Sequence, residues 1–404
     1  NLIHFTLLYF KQIKTMMEDC KEHFETIIKN YENNMELSYV KKTNKIKLII
    51  KKFIIENKLI LYGGTAIDLL LPTSKKIYKK NEKLFDYDVY SNDAYNYGIK
   101  LVDLLTKHKY KYVQLREAAF TQSTFKVFVE NLPVFDITNL PKEQYEKYLD
   151  FIKKKQQMLV IGPEVLIRDM CAQLSQPHIS YFRLSKTYER YNLFNDIFGI
   201  TKYNIKKIKL FEPTEEEYNI LKLLLSECKK KGYPILGYYG LQLLNNKNEF
   251  YSINNETAYL SFFTKDINKI IKKLKKYEIT IERNENYITI LYNNKKICDI
   301  YDSSDLCIAF CKKKGFNVLS IFGIKYFIYN NLISKINNIE TDKYIISNIN
   351  KYITNTNCID NCKLNLECYG DGKPPGWQII KSRWDSGIVK YKPSLKKQLD
   401  TYFN

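Results

Sequence analysis

Two carboxylates one residue apart, Asp86 and Asp88, follow a Gly63-Gly64-Thr65 run at the end of an apolar segment, Leu59-Ile60-Leu61-Tyr62. In a strand, alternate side chains share a face, so Asp86 and Asp88 project together while Phe85, Tyr87 and Val89 point the other way. Two carboxylates aimed at one point repel unless cations lie between them, and hard oxygen ligands select Mg²⁺ or Mn²⁺. A pair of such ions can acidify an attacking hydroxyl and steady a leaving pyrophosphate. The glycine run predicts a strand that turns into a helix. Without a Cβ the backbone there can approach a triphosphate, and the helix N-terminus aims N–H groups at the anion. Thr65 adds a hydroxyl donor at the same place.

That chemistry needs a third acid, and Asp136 is the candidate. Thr124 to Val129 has strand character, and after a turn at Asn131-Leu132-Pro133 comes Val134-Phe135-Asp136-Ile137. Apolar residues flank Asp136 on both sides, an expensive place for an unpaired charge, and a metal would serve as its partner. The alternative is a turn-capping role, and the preceding acid pair counts against it.

The order Gly-Gly, Asp-x-Asp, later Asp resembles the polymerase-β-like nucleotidyltransferase superfamily. With Phe53 to Gly64, Phe85 to Asp88 and Tyr188-Glu189-Arg190-Tyr191-Asn192-Leu193, the chain resembles more narrowly the poly(A) polymerase catalytic proteins of large cytoplasmic DNA viruses, of the African swine fever virus and mimivirus type. The likeness is strong across residues 50–200 and weaker as far as 335. It implies an α/β (α+β) protein with a nucleotidyltransferase-fold catalytic domain and a degenerate nucleotidyltransferase-like second domain. It further implies Asp86, Asp88 and Asp136 as the catalytic and metal-binding triad, two Mg²⁺ or Mn²⁺ ions, and a phosphate turn of Gly63, Gly64 and Thr65 that holds ATP. The implied partners are an RNA 3′ end and a second copy of the chain, and the implied location is the host cytoplasm, at viral factories or packaged in the virion. One departure from the superfamily is the length of Pro72 to Lys83 between the glycine turn and the first Asp. This is a basic loop beside the site, whose lysines either touch phosphate or are simply solvated.

The remaining sequence must carry these residues. The chain has 404 residues, 45% of them hydrophobic, enough for large cores and two or more domains. It has no apolar run of membrane-spanning length and no signal-peptide arrangement, so a soluble protein with no membrane partner is expected. Lys and Arg number 64 against 44 Asp and Glu, a net charge of +20 that favours a polyanion such as RNA or DNA. Heavy use of Lys, Asn, Ile and Tyr is also what an A/T-rich genome encodes, so charge is only supporting. The 9 cysteines at irregular positions suggest reduced thiols, and Cys358, Cys362 and Cys368 lack the spacing of a zinc site.

Comparing the chain with itself reveals an echo. Ile235-Leu236-Gly237-Tyr238-Tyr239-Gly240 aligns with Leu61-Tyr62-Gly63-Gly64-Thr65-Ala66, and Lys296-Ile297-Cys298-Asp299-Ile300 aligns with Pro133-Val134-Phe135-Asp136-Ile137. Carrying the register forward puts Leu260 and Phe262 where Asp86 and Asp88 stand. Asp299 would then be a lone acid, and the second copy catalytically silent. Between the copies, Pro163 to Leu174 is helical, and Ile179 to Tyr191 is a second helix with Arg183, Lys186 and Arg190 on one face. Lys186 and Arg190 are the candidates for contact with triphosphate or RNA, against a solvated stripe. Thr214 is a helix cap before an acidic first turn.

The expected organisation is N-terminal helices over 1–58, the active domain over 59–205, its degenerate copy over 206–335 and a helical then irregular segment over 336–404. In that last segment Trp377, Lys381, Arg383 and Trp384 either pack on the body or stack on bases. The expected activity is template-independent addition of AMP from ATP to the 3′-OH of RNA, producing a poly(A) tail. The choice of adenine comes from the resemblance alone. The alternatives are another RNA terminal nucleotidyltransferase and a non-catalytic RNA-binding scaffold.

Overall fold

A computed structural model describes residues 23–27, 44–78, 86–118, 123–176, 180, 183–200, 208–210, 213–245, 251–253, 256–257, 260–284, 287–303, 307–334, 339–355 and 365–368. Helix α1, over 44–56, buries Ile46, Ile50, Phe53 and Ile54, a three- and four-residue spacing that makes one apolar face. Lys58, at φ 51°, turns the chain into strand β1 (Ile60–Tyr62), which passes directly into helix α2 (Gly63–Leu70). There follow β2 (Tyr87–Ser91), α3 (Ala94–Lys107), β3 (Val113–Glu117), β4 (Thr124–Val129), β5 (Leu132–Asn139), α4 (Lys142–Leu149), β6 (Ile152–Lys155), β7 (Met158–Ile161), α5 (Pro163–Ser175) and α6 (Leu184–Phe198).

The first sheet has the order β3-β4-β5-β2-β1-β7-β6. Strand β2 runs parallel to β5 and β1 parallel to β7, while β1 and β2 are antiparallel. The β4–β5 and β6–β7 hairpins close through Glu130-Asn131 and Gln156-Gln157, pairs with φ of 50° and 66° and of 47° and 68°. Two consecutive positive φ values suit the right-handed twist of the paired strands. The first of these turns lies one residue earlier than the sequence suggests, and Pro133 is already inside β5.

A small sheet joins β8 (Ile208–Leu210), from the segment between the halves, to β10 (Tyr251–Ile253) and β11 (Glu256–Thr257), which lie within the second half in sequence. The second large sheet uses β9 (Ile235–Leu236), β12 (Leu260–Phe263), β13 (Ile279–Arg283), β14 (Tyr287–Tyr292), β15 (Lys295–Tyr301), β16 (Cys307–Lys313), β17 (Phe316–Leu319) and β18 (Asn365–Cys368). Its order is β13-β14-β15-β12-β9-β17-β16-β18, the first sheet's order with one strand added at the edge. The helices correspond too. Helix α7 (Glu215–Lys231) precedes β9, α8 (Gly237–Leu244) follows it, α9 (Ile267–Leu274) follows β12 and α10 (Ile321–Ser334) follows β17. Thr214 starts α7 with a capping box, its hydroxyl accepting from the Glu217 N–H while the Glu217 carboxylate accepts from the Thr214 N–H.

The strand register corrects the self-comparison by one residue. Ser261 lies beside Asp299 on one side and Leu236 on the other, as Asp88 lies beside Asp136 and Tyr62. Ser261, not Phe262, therefore occupies the place of Asp88, and the place of Asp86 falls outside the described residues. Side chains alternate with period two, so a slip of one residue exchanges the faces, and Leu260 and Phe262 are fully buried on the opposite one.

The two halves are joined through helices. Helix α10 packs on α5, and Phe322 on α10 meets the rings of Tyr188 and Tyr191 of α6 at 6.1 and 5.2 Å. Lys325 is fully buried at this joint, its Nζ donating to Tyr191 Oη at 2.5 Å, Asn195 Oδ1 at 2.7 Å and Asn350 Oδ1 at 2.5 Å. Asn350 belongs to α11 (Ile339–Asn355). Burial lowers the Lys325 amine to about 8.

Cys171, Cys228 and Cys298 are free and buried, but Cys311 is disulfide-bonded, so the expectation of reduced thiols throughout is not met. Cys358, Cys362, Trp377, Lys381, Arg383 and Trp384 lie outside the described residues. No helix among the described residues is long and apolar enough to cross a membrane.

Candidate active site

The strand-to-helix turn at the end of β1 demands glycine twice, for different reasons. Gly63 has φ +69°, and a Cβ there would overlap the Asp88 carboxylate. A Cβ on Gly64 would overlap Tyr78 Oη and lie 3.1 Å from Arg190 Nη1. The missing side chains thus make room for two named groups of the protein itself. Tyr62 provides no side-chain cap for α2, and first-turn N–H groups of a helix have no intrahelical acceptor. A helix N-terminus left uncapped in this way can receive an anion. Thr65 is buried and its Oγ1 donates to the Asp86 carbonyl at 3.1 Å, so this hydroxyl fixes the backbone of the first acid.

Asp86 precedes β2 by one residue and Asp88 lies within it. Asp136, on β5, is the lateral neighbour of Asp88 in the parallel pair. Packing of Tyr87, Val89, Phe135 and Ile137 into the core turns the three acids to the same side, and one carboxylate oxygen of each lies within 4.8 Å of the others. Burial pushes Asp88 up to about 8, with the Asp86 and Asp136 charges adding to the rise and Lys126 and Arg183 opposing it. Asp136 is also raised, first by burial, against the pull of Lys126. Three mutually repelling, half-desolvated carboxylates call for a cation.

Lys126, across the β4–β5 ladder from Asp136, supplies part of that charge by pairing with Oδ2. Asp136 Oδ1 is buried and has no hydrogen-bond partner among the described residues. An orphaned carboxylate oxygen within reach of two further carboxylates fits a hard divalent ion, with Asp86, Asp88 and Asp136 as its holders.

A basic rim faces the acids. Arg183 immediately precedes α6, and Lys186 and Arg190 follow along it. Lys186 is lowered by Arg190 first, then by burial and Arg183, with Asp86 pulling it back up. Such crowding of like charge on one face suits a polyanion. Arg190 Nη2 donates to Tyr78 Oη at 3.2 Å, and its guanidinium lies 5.6 Å from the centre of the Tyr78 ring. From α1, Lys47 also lies in the field of Asp86, its amine lowered by burial and raised by that charge. Of the basic loop, Lys76 is tied to Asp68, while residues 79–85 lie outside the described residues.

The structure therefore brings Gly63, Gly64, Asp86, Asp88, Asp136 and Arg190 together, with Lys186 on the same helical face. The sequence reading missed Lys126, Tyr78 and Lys47. Lys126 had a usable signal, since the hairpin places it opposite Asp136. Lys47 had none, because lysine recurs every few residues in that helix.

The molecule is thus a mixed α/β fold in which one strand order is used twice, with the glycine-turned helix and three acids together in the first sheet and Ser261 in the place of Asp88 in the second. The crystal structure of the Megavirus polyadenylate synthase has this fold, with a TM-score of 0.66 and 17% identity over 94% of this chain and 89% of that one. Residues 48–180, which contain the glycine turn and all three acids, match a family model described as poly(A) polymerase catalytic subunit. Two African swine fever virus proteins that carry that name provisionally are similar to part of this chain. The Pig/Kenya/KEN-50/1950 protein is 28% identical over 165 residues, 39% of this chain and 34% of its own length. The Badajoz 1971 Vero-adapted protein is 28% identical over 167 residues, 40% and 34% respectively. The match spans about a third of those relatives, 34% of their length. The resemblance drawn from the motifs is thus borne out over residues 48–180, which hold the glycine turn and the three acids, while Tyr188 to Leu193 lies beyond the matched span.

Proposed function

We propose that this chain is a template-independent polynucleotide adenylyltransferase that moves AMP from ATP to the 3′-OH of RNA and so builds a poly(A) tail on mRNA. The observation that carries the proposal is the triad itself: three carboxylate oxygens within 4.8 Å, one of them buried and unpartnered, beside a glycine-turned helix N-terminus. When bound, two Mg²⁺ or Mn²⁺ ions would supply acidification of the hydroxyl and neutralisation of the triphosphate.

In this reading Asp136 serves the side of the attacking 3′-hydroxyl, and Asp86 with Asp88 the side of the triphosphate. The N–H groups of Gly63, Gly64 and Thr65 hold the β and γ phosphates, and Lys186 and Arg190 offset their charge. The 3′-oxygen bonds to the α-phosphorus as the bond to the bridging oxygen breaks. Pyrophosphate leaves with the electron pair, and in-line attack inverts the phosphorus. Adenine selection rests on what the relatives are called, since no side chain described above reads a base. Pairing with a second copy and a cytoplasmic location in infected cells are further parts of the proposal, open to sedimentation and cell fractionation.

The test is incubation of the purified chain with an RNA primer, Mg²⁺ or Mn²⁺ and each NTP in turn. Elongation by ATP in preference to the others is expected. Elongation by another NTP and not by ATP would reject the adenylyl reading, and a chain that binds RNA but extends it with no NTP would be a scaffold.

A further inference from the structure

The loop between the glycine turn and the acids is held by its own helix. Asp68 on α2 accepts the N–H groups of Ile77 and Tyr78 through Oδ1 at 2.9 and 3.1 Å. Lys76 Nζ donates to the Asp68 carbonyl and approaches the Asp68 carboxylate at 3.8 Å. This anchoring puts Tyr78 Oη against the Cα of Gly64, in contact so close that a Cβ would not fit. The ring is backed by the guanidinium of Arg190, whose Nη2 donates to the hydroxyl. Burial raises the Tyr78 hydroxyl above its ordinary value, Arg190 opposes that rise, and the lesser push from Asp86 and Asp88 places the group in the field of the triad.

We propose that Tyr78 is a triphosphate-binding residue of this site, its hydroxyl donating to the terminal phosphates of a nucleoside triphosphate seated on the α2 N-terminus. The proposal rests on the reading of the site as one for nucleotidyl transfer. Tyr78 Oη accepts from Arg190, and a tyrosine hydroxyl, both donor and acceptor, can also donate to a phosphate oxygen. The aromatic backing fixes both Tyr78 and Arg190 before ligand arrives, so little side-chain freedom is lost on binding. The second half supports the assignment by contrast. There the place of Gly64 is taken by Tyr238, a buried side chain whose ring lies 6.1 Å from that of Tyr344, so the clearance that admits a tyrosine hydroxyl at Gly64 is not kept.

The experiment measures equilibrium binding of ATP, inorganic tripolyphosphate and AMP, with Mn²⁺ present, to the full chain and to Tyr78→Phe, which keeps the ring under Arg190. Weakening of ATP and tripolyphosphate on the order of tenfold, with AMP unchanged, is expected for one lost hydrogen bond to a charged group. In tailing assays the KM for ATP should rise by a similar factor while kcat stays within about twofold. Unchanged affinity for tripolyphosphate, equal losses for all three ligands, or tighter binding by the variant would each overturn the role. Tripolyphosphate binding that depends on Tyr78 in a chain that extends no RNA would sink the adenylyl reading and leave this one standing.

Discussion

Asp136 and Asp299 occupy the same place in two sheets of the same order, and the difference between them is what their oxygens touch. Asp299 is satisfied on both sides: Thr289 Oγ1 donates to Oδ1 at 2.7 Å and Lys296 Nζ pairs with Oδ2 at 2.6 Å. Asp136 has Lys126 on Oδ2, and its Oδ1 is left over. Lys126 stands where Thr289 does, across the ladder, and Pro133 stands three residues before Asp136 where Lys296 precedes Asp299. A proline carries no cation to close the second oxygen. The first half thus keeps an incomplete carboxylate, and the second has completed its own with protein groups. The glycine turn persists in both, with φ +69° at Gly63 and Gly237, but Ser261 replaces Asp88 against it. The two halves share a strand order and part at the level of single side chains.

The largest expected effect comes from removing acids in one half and not the other. Asp86→Ala with Asp88→Ala should lower AMP incorporation into an RNA primer by roughly a thousandfold or more while RNA binding is nearly unchanged, because Lewis-acid chemistry loses its holders. Asp299→Asn should leave incorporation within about twofold and instead lower Tm, since it breaks a buried ion pair worth on the order of 1–3 kcal/mol. Equal damage from both changes would erase the distinction between the halves.

An intermediate effect is expected from giving the first half the second half's cation. Pro133→Lys places an ammonium at the register position from which Lys296 reaches its Asp. Competition for Asp136 Oδ1 should raise the Mn²⁺ concentration needed for half-maximal tailing on the order of tenfold, the equivalent of about 1.4 kcal/mol, with the KM for ATP nearly unmoved. A metal titration that coincides with that of the parent would show that the orphaned oxygen is not a ligand.

Much of this was legible in the sequence, and what was not has identifiable causes. Gly63-Gly64 followed by Asp86, Asp88 and Asp136 could be read because strand alternation and a residue needing positive φ leave marks in one dimension. The repeat was legible in Gly237 and Asp299, but its register slipped at β12, where Leu260-Ser261-Phe262-Phe263 is buried on both faces and offers no polar alternation to fix the phase. Lys126 and Tyr78 act through contacts set by a hairpin and by a loop clasped to Asp68, and neither contact has a local sequence signature. Thr65 was read as a phosphate donor; only the fold shows its hydroxyl bonded to Asp86. The reason for Gly64 likewise changed, from clearance for a ligand to clearance for Tyr78.

The smallest expected effect is thermal and depends on pH. Burial and two neighbouring acids raise Asp88 from 3.8 to about 8 in the metal-free protein, and nothing comparable exists at Ser261. An acid whose folded pKa lies above its unfolded value contributes stability that is complete below the unfolded pKa and is lost as pH rises through the folded one. The metal-free Tm should therefore fall from pH 4 towards pH 8 by this group's share. Divalent metal needs the ionised form, so it must displace the proton at low pH and meets an open carboxylate at high pH. The rise in Tm on adding Mn²⁺ should grow between about pH 6 and pH 8.5, reaching a few degrees for a ligand well above its Kd. Asp88→Asn should flatten that growth, whereas Ser261→Ala should leave it intact. A Mn²⁺ shift independent of pH in the parent chain would mean that the ion binds elsewhere, and the contrast between the two sheets would then have to be sought away from these acids.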